Sequence, residues 1–188
     1  MNIWELIPNE SYNYAILVDD EGKQCHDSGY DYLEKQSDPA VREIKIEKHR
    51  KGFPDIMNYW GVPGTCVVNN RTKELIEKNF GELSIQFFPC HCKQFPDIEM
   101  WVLNVYEYHD VFDVDNSVFQ TLINHKGEKK ICYINKFAFT NEAFDLDLFK
   151  IYIDGYKNNI RLYVSDRFKA IMEENGVTGL ALEKVYSI

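Results

Sequence analysis

The chain is expected to fold as an α+β protein, a single mixed domain in which two similar strand-helix-strand units sit around an antiparallel-rich sheet. Three observations predict this. First, "VVNNRTKELIEKN" from Val67 to Asn79 and "YVSDRFKAIMEEN" from Tyr163 to Asn175 share Val68/Val164, Arg71/Arg167, Lys73/Lys169, Glu77/Glu173 and Asn79/Asn175. Second, in each copy an apolar run meets a capping side chain, Asn69 or Asn70 in one and Ser165 or Asp166 in the other. Apolar residues then recur at helical spacing: Leu75, Ile76 and Phe80, then Phe168, Ile171 and Met172. Third, both copies stop at Asn and Gly, and strand alternation resumes at Leu83, Ile85 and Phe87 and at Leu180 and Leu182. The units are placed near residues 66–88 and 160–186.

The remaining elements follow in chain order. "YNYAILV" predicts a strand over Tyr12–Val18 that ends in the acidic turn Asp19-Asp20-Glu21. "AVREIKIEKHRKG" suits a strand carrying Val41, Ile44 and Ile46, or a frayed helix. Pro54, Gly61, Pro63 and Gly64 make a turn-rich entry to the first unit. "EMWVLNVYEY" predicts a strand with Trp101, Leu103 and Val105 on one face. "NHKGEKK" predicts a hairpin turn at Lys126-Gly127, and "ICYINKFAF" the strand after it. "AFDLDLF" alternates and is expected to be a strand showing Asp145 and Asp147 on one side. No linker divides residues 1–188. Residues 1–52 are an N-terminal strand and a variable segment, and 53–188 hold the two units.

Composition bounds the function. Hydrophobic residues are 45% and aromatics 14%, enough for a sizeable core. A formal net charge of −9 argues against nucleic acid and for a basic partner. The start lacks a basic region followed by an apolar one, and no apolar stretch reaches membrane-spanning length. The expected compartment is therefore the cytoplasm, without membrane association. The five cysteines, an odd count, are expected to be reduced thiols.

The sequence holds no Gly-x-Ser-x-Gly elbow, His-Glu-x-x-His pair, phosphate loop or Gly-x-Gly-x-x-Gly turn, so no catalytic residue is assigned and the chain is not expected to be an enzyme. No cofactor and no metal are expected. If a metal were held, Cys90 and Cys92 would be its first ligands, because an extended "PCHCKQF" turns both to one side. The Cys25-His26 pair is the other thiol–imidazole neighbour. Asp110, Asp113 and Asp115 alternate in a turn, but neither Asp110 nor Asp113 starts a calcium loop with Gly and Glu in place. Those three, Asp145, Asp147, Asp19, Asp20 and Glu21 are the candidates for an acidic partner-binding surface.

The order of three segments resembles a family of immunity proteins from bacterial polymorphic toxin systems. These are "FPDIMNYWGVPGTCVVNNRTKELIEKN", "WVLNVYEYHDVFDVDNSVF" with its Asp-rich turn ending at Ser117, and "LYVSDRFKAIMEENGVTGLALEKV", which closes as Gly-Leu-x-Leu-x-x-Val from Gly179 to Val185. The resemblance runs from about Phe53 to the C-terminus. It departs from the family at Asn69-Asn70, where Ser-Glu or Ser-Asp is usual. It implies a stoichiometric inhibitor, without catalytic residues, that binds a cognate secreted toxin domain and protects the producing cell. The alternative is a small α/β ligand-binding or enzymatic domain using a cleft between the two units.

Overall fold

A computed structural model describes the chain except for residues 8, 10, 20, 26–33, 38–39, 48–52, 61 and 63. Its described elements are β1 (Asn2–Leu6), β2 (Tyr14–Leu17), β3 (Arg42–Glu47), β4 (Ile56–Trp60), β5 (Cys66–Asn69), α1 (Asn70–Phe80), β6 (Ile85–His91), β7 (Met100–Val105), β8 (Tyr108–His109), β9 (Val118–Ile123), β10 (Lys129–Lys136), β11 (Leu148–Ile153), β12 (Tyr156–Ser165), α2 (Asp166–Glu174) and β13 (Leu182–Ser187), with a 3₁₀ turn over Asn141–Asp145. The chain is α+β, as expected. No helix among the described residues is long and apolar enough to cross a membrane.

The strands do not gather around one sheet. Six close into a barrel in the order β2-β3-β6-β7-β5-β4, and five form a sheet in the order β13-β1-β12-β11-β8. The β9–β10 hairpin is a separate two-stranded sheet. Alternation explains the layering. Val67, Val102 and Met57 point into the barrel with Tyr59 and Phe88. Their neighbours Val68, Leu103 and Ile56 point outward and meet Leu162, Val164 and Leu148 of the sheet. The far face of the sheet, with Tyr163, Phe149 and Ile151, packs on Phe137 and Phe139. Strands buried on both faces read as continuous apolar runs, which is how β5 and β7 read. The first helix therefore joins two strands of the barrel, β5 and β6, and the second joins two strands of the sheet, β12 and β13.

The ambiguous segment at Val41–Gly52 is a strand where it is described, β3. The expected strand through "AFDLDLF" is corrected: Asp145 ends the 3₁₀ turn, and β11 begins only at Leu148. Ala143 is buried there, and the turn seats it under the aromatic core. Gly81 is also corrected. Its φ is −65°, in the right-handed region, whereas Gly176 takes the expected positive φ of 61°.

The shared residues of the two helices make matching bonds. Asn69 is the cap of α1, accepting from Thr72 N at 2.9 Å, and Ser165 is the cap of α2, accepting from Phe168 N at 3.0 Å. Each cap is held by a carboxylate from the preceding strand or turn. Asn69 Nδ2 donates to Asp55 Oδ1 at 2.7 Å, and Ser165 Oγ donates to Asp147 Oδ1 at 2.6 Å. Arg71 bonds Asp55 and the Asn175 carbonyl at the end of α2. Arg167 bonds Asp147 and the Asn79 carbonyl near the end of α1. Each arginine thus caps the other helix, placing positive charge where the helix dipole is negative. Phe80 and Phe168 meet beneath them at 5.2 Å.

Replacing both Arg71 and Arg167 by alanine is expected to lower unfolding free energy by about 1–2 kcal/mol in total, because the guanidinium groups are half-exposed. Lysine at either position should not restore it, since one ammonium cannot span carboxylate and carbonyl as a planar fork does. Urea titration checks this; full rescue by lysine would show that only charge matters.

Candidate functional site

The predicted acidic residues lie on separate loops; backbone bonds from Asp113 N to Ala138 O and from Thr140 N to Val111 O join the loop of Asp110, Asp113 and Asp115 to the one that carries Asp145 and Asp147. Asp19 closes a tight turn by accepting from Glu21 N and Lys23 N, and Glu21 pairs with Lys23 at 2.6 Å. Asp20 lies outside the described residues. Asp110 and Asp115 are exposed on the β8–β9 connection. Asp113, between them, accepts from Asn116 N and Nδ2 at 3.1 and 2.7 Å, and these bonds hold its carboxyl below the usual range. Ser117 Oγ donates to Asp113 O at 2.6 Å, and Asp113 N donates to Ala138 O. The turn is thus built as a fixed shelf at the base of the β9–β10 hairpin, presenting two exposed carboxylates. Asp145 is exposed. Asp147 is occupied by Ser165 and Arg167 at the start of α2, a structural use that the alternating pattern did not reveal.

Cys90 and Cys92 do share a side, as an extended segment requires, but that side is the barrel interior. Cys90 Sγ contacts Phe88 O at 3.7 Å, and burial pushes its thiol up to about 12. Cys92 Sγ contacts Gln94 Oε1 at 3.7 Å. His91 turns away and meets Glu43 at 2.9 Å. Among the described residues no three His, Cys, Asp or Glu side chains gather to hold a metal ion. His26, the partner of Cys25 in the other pair, lies outside the described residues.

A large concavity lies elsewhere. It is a groove of about 540 Å³ between β10 and the tip of the β11–β12 hairpin. The tip turns at Asp154-Gly155, both at positive φ (55° and 74°), the conformation a two-residue hairpin needs to follow strand twist. Ile131, Ile134 and Ile153 form its floor and walls, and Tyr133, Tyr156 and Ile160 stand at its edge. These last three are 62%, 60% and 63% exposed. Lys130, Lys157 and Arg161 line the groove against one carboxylate, Asp154. Lys130 Nζ lies 4.4 Å from the centre of the Tyr156 ring. Arg161 pairs with Glu5, whose carboxyl burial pushes up while the guanidinium pulls it down.

Apolar walls, aromatic edges and flanking cations suit binding of a polar-apolar segment. The sequence reading missed this groove. "VFQTLINHKGEKKICYINK" has apolar residues on both faces of both strands, a pattern that reads as burial. The one available signal was the density of lysine around a predicted hairpin turn.

The sequence model of a family described as "Immunity protein family (Imm11)" matches residues 12–187. The match starts well before Phe53, so it takes in most of the N-terminal segment that the residue patterns set apart. No curated protein matches the chain.

Proposed function

Because the chain belongs to the Imm11 immunity protein family, we propose that it neutralises one cognate secreted toxin by stoichiometric binding, in the cytoplasm of the cell that makes both. The observation that carries this is the family match across residues 12–187. The mechanism is occlusion: the folded protein covers the toxin's active cleft or a neighbouring site, and no bond is made or broken.

Physical features support each step. A net charge of −9 attracts a basic toxin domain over a distance of about one Debye length, roughly 8–10 Å at moderate salt. Asp110 and Asp115, held out by the Asp113–Asn116 bonds, are the fixed carboxylates best placed for this steering. Asp19, Glu21 and Asp145 add to the field. The chain acts as one domain: Ile56, Val68 and Leu103 of the barrel share a core with Leu162, Val164 and Phe168 of the second unit. We further infer that the Asp55–Asn69–Arg71 and Asp147–Ser165–Arg167 sets are two copies of one unit.

Co-expression is expected to rescue cells from the toxin encoded beside this gene and not from unrelated toxins. In stopped-flow mixing, the association rate should fall about tenfold between low and moderate salt. Replacing Asp110, Asp113 and Asp115 together by Asn should lower that rate and its salt dependence, with little change in dissociation. A purified protein that neither binds the toxin nor protects the cell sinks the reading.

A further inference from the structure

We propose that the groove between β10 and the β11–β12 tip receives an acidic, apolar segment of the toxin, and that this contact sets the lifetime of the complex. The proposal rests on the immunity reading and names the surface and partner chemistry that reading leaves open.

The hairpin is the first argument. A lone two-stranded hairpin is marginal in water, and β9–β10 pairs with no other described strand. It is held down by Phe119, Ile131 and Ile134 against the aromatic core. Its stability does not require large apolar groups on the outer side. Yet Val118 and Leu122, on the face of β9 opposite Phe119, and Tyr133, paired with Gln120 between them, are 51%, 66% and 62% exposed. Clustered exposed apolar side chains of this kind mark interaction surfaces.

The shape is the second. About 540 Å³ lies within the usual range of binding pockets, roughly 300–1,000 Å³. It has room for two or three side chains of a segment, not for the flat face of a domain. Tyr133 and Tyr156 at the edge supply rigid contact area with a polar tip, the residue type that dominates interface energetics.

Charge selects the occupant. Between Val118 and Lys136 stand Lys126, Lys129, Lys130 and Lys136 against Glu128 alone. Inside the groove, Lys130 meets Asp154 and Glu128 only at 4.0 and 3.9 Å, Lys157 meets the exposed Glu34 at 3.6 Å, and Arg161 pairs with Glu5. Lys126, Lys129, Lys130, Lys136, Lys157 and Arg161 thus outnumber Glu5, Glu34, Glu128 and Asp154, which leaves a cationic island on a chain of net charge −9. A basic toxin drawn in by the acidic body is repelled here unless it offers carboxylates. The segment that enters must therefore be acidic as well as apolar, and this mismatch with the rest of the surface sets the register of the complex. A nucleic acid would gain at the island but be repelled by the remaining acidic surface.

Two double variants of the full chain test this, Tyr133→Ala/Tyr156→Ala and Lys130→Glu/Lys157→Glu, each with the adjacent toxin domain in surface plasmon resonance. Each is expected to speed dissociation by about 100-fold, the effect of losing central interface anchors. Association by the tyrosine variant should stay within about threefold. Thermal melting establishes that each variant is folded. If one is not, hydrogen exchange on the wild-type complex decides, with protection expected at 129–136 and 153–161. Dissociation unchanged in a folded variant, or no protection in those segments, overturns the proposal and leaves the immunity reading standing. Sedimentation showing that wild type is a dimer and the folded variants are monomers with full toxin binding also overturns it, by giving the groove to a second copy. Wild type that does not bind the toxin fails at the first measurement, and both readings go together.

Discussion

Gly179→Ala is expected to lower unfolding free energy by about 3–5 kcal/mol, a large part of the roughly 5–15 kcal/mol that keeps an ordinary domain folded. Two costs combine. The residue sits at φ +86°, where an L side chain is strained by roughly 1–2 kcal/mol. A Cβ there would lie 2.1 Å from Ile56 O and 2.6 Å from Pro54 Cβ. Relief requires the segment before β13 to move off β4, which breaks the Ile56 N to Thr178 O bond of 3.0 Å and loosens Thr178 from Asp55. Asp55 also holds the α1 cap, so the damage reaches the first helix unit. Gly127→Ala is the control. Its φ is +81° with nothing within 4 Å of the added Cβ, so it should cost only the backbone strain. Equal losses in urea for the two variants would mean that the approach to Ile56 carries no weight. The closing Gly-Leu-x-Leu-x-x-Val thus begins with glycine for a steric reason: it is where the last strand passes over the barrel.

Lys150→Met is expected to stabilise the protein by about 1–3 kcal/mol at neutral pH. Lys150 is fully buried in β11, and its Nζ has no hydrogen-bond partner among the described residues. Tyr108 offers its ring at 5.7 Å, and the buried Cys66 thiol is nearby. Burial lowers the ammonium from 10.5 to about 8, which corresponds to a penalty of about 3 kcal/mol while both folded and unfolded chains are protonated. Below pH 8 that penalty is fully present. Between about 8 and 10.5 the unfolded chain binds the additional proton, so unfolding free energy rises with pH through this group, and above 10.5 the penalty is gone. Burial pushes the Cys66 and Cys90 thiols up to about 12, which gives the opposite slope above their ordinary 9. The wild type therefore has to be compared with Lys150→Met at each pH. The stability advantage of the variant should be largest below pH 8 and shrink toward pH 10.5. An advantage independent of pH would mean that Met simply packs better, and a destabilised variant would mean that the ammonium has a partner in the folded chain.

The sequence by itself determined what depends on neighbours along the chain. Both helices were legible because a cap, an apolar stripe and an Asn stop each act within four residues. So was the Lys126-Gly127 hairpin turn, where only local φ matters. The resemblance to immunity proteins was legible from segment order, and the net charge from composition. Tertiary structure alone decided what depends on which strand meets which. Alternation told Val67 from Val68 but not that one would enter a barrel and the other a sheet-facing core. Six strands close into that barrel through parallel pairs, β2 with β4 and β3 with β6, that no local signal encodes. The same gap hid three residues. Asp147 read as a surface acid until Ser165 and Arg167 reached it, Lys150 is a cation that its β8 neighbour and the barrel bury, and Tyr133 lies in a predicted strand yet stays exposed beside the groove. In each case burial was set by contacts distant in sequence, and a side chain's polarity does not say which partner will arrive.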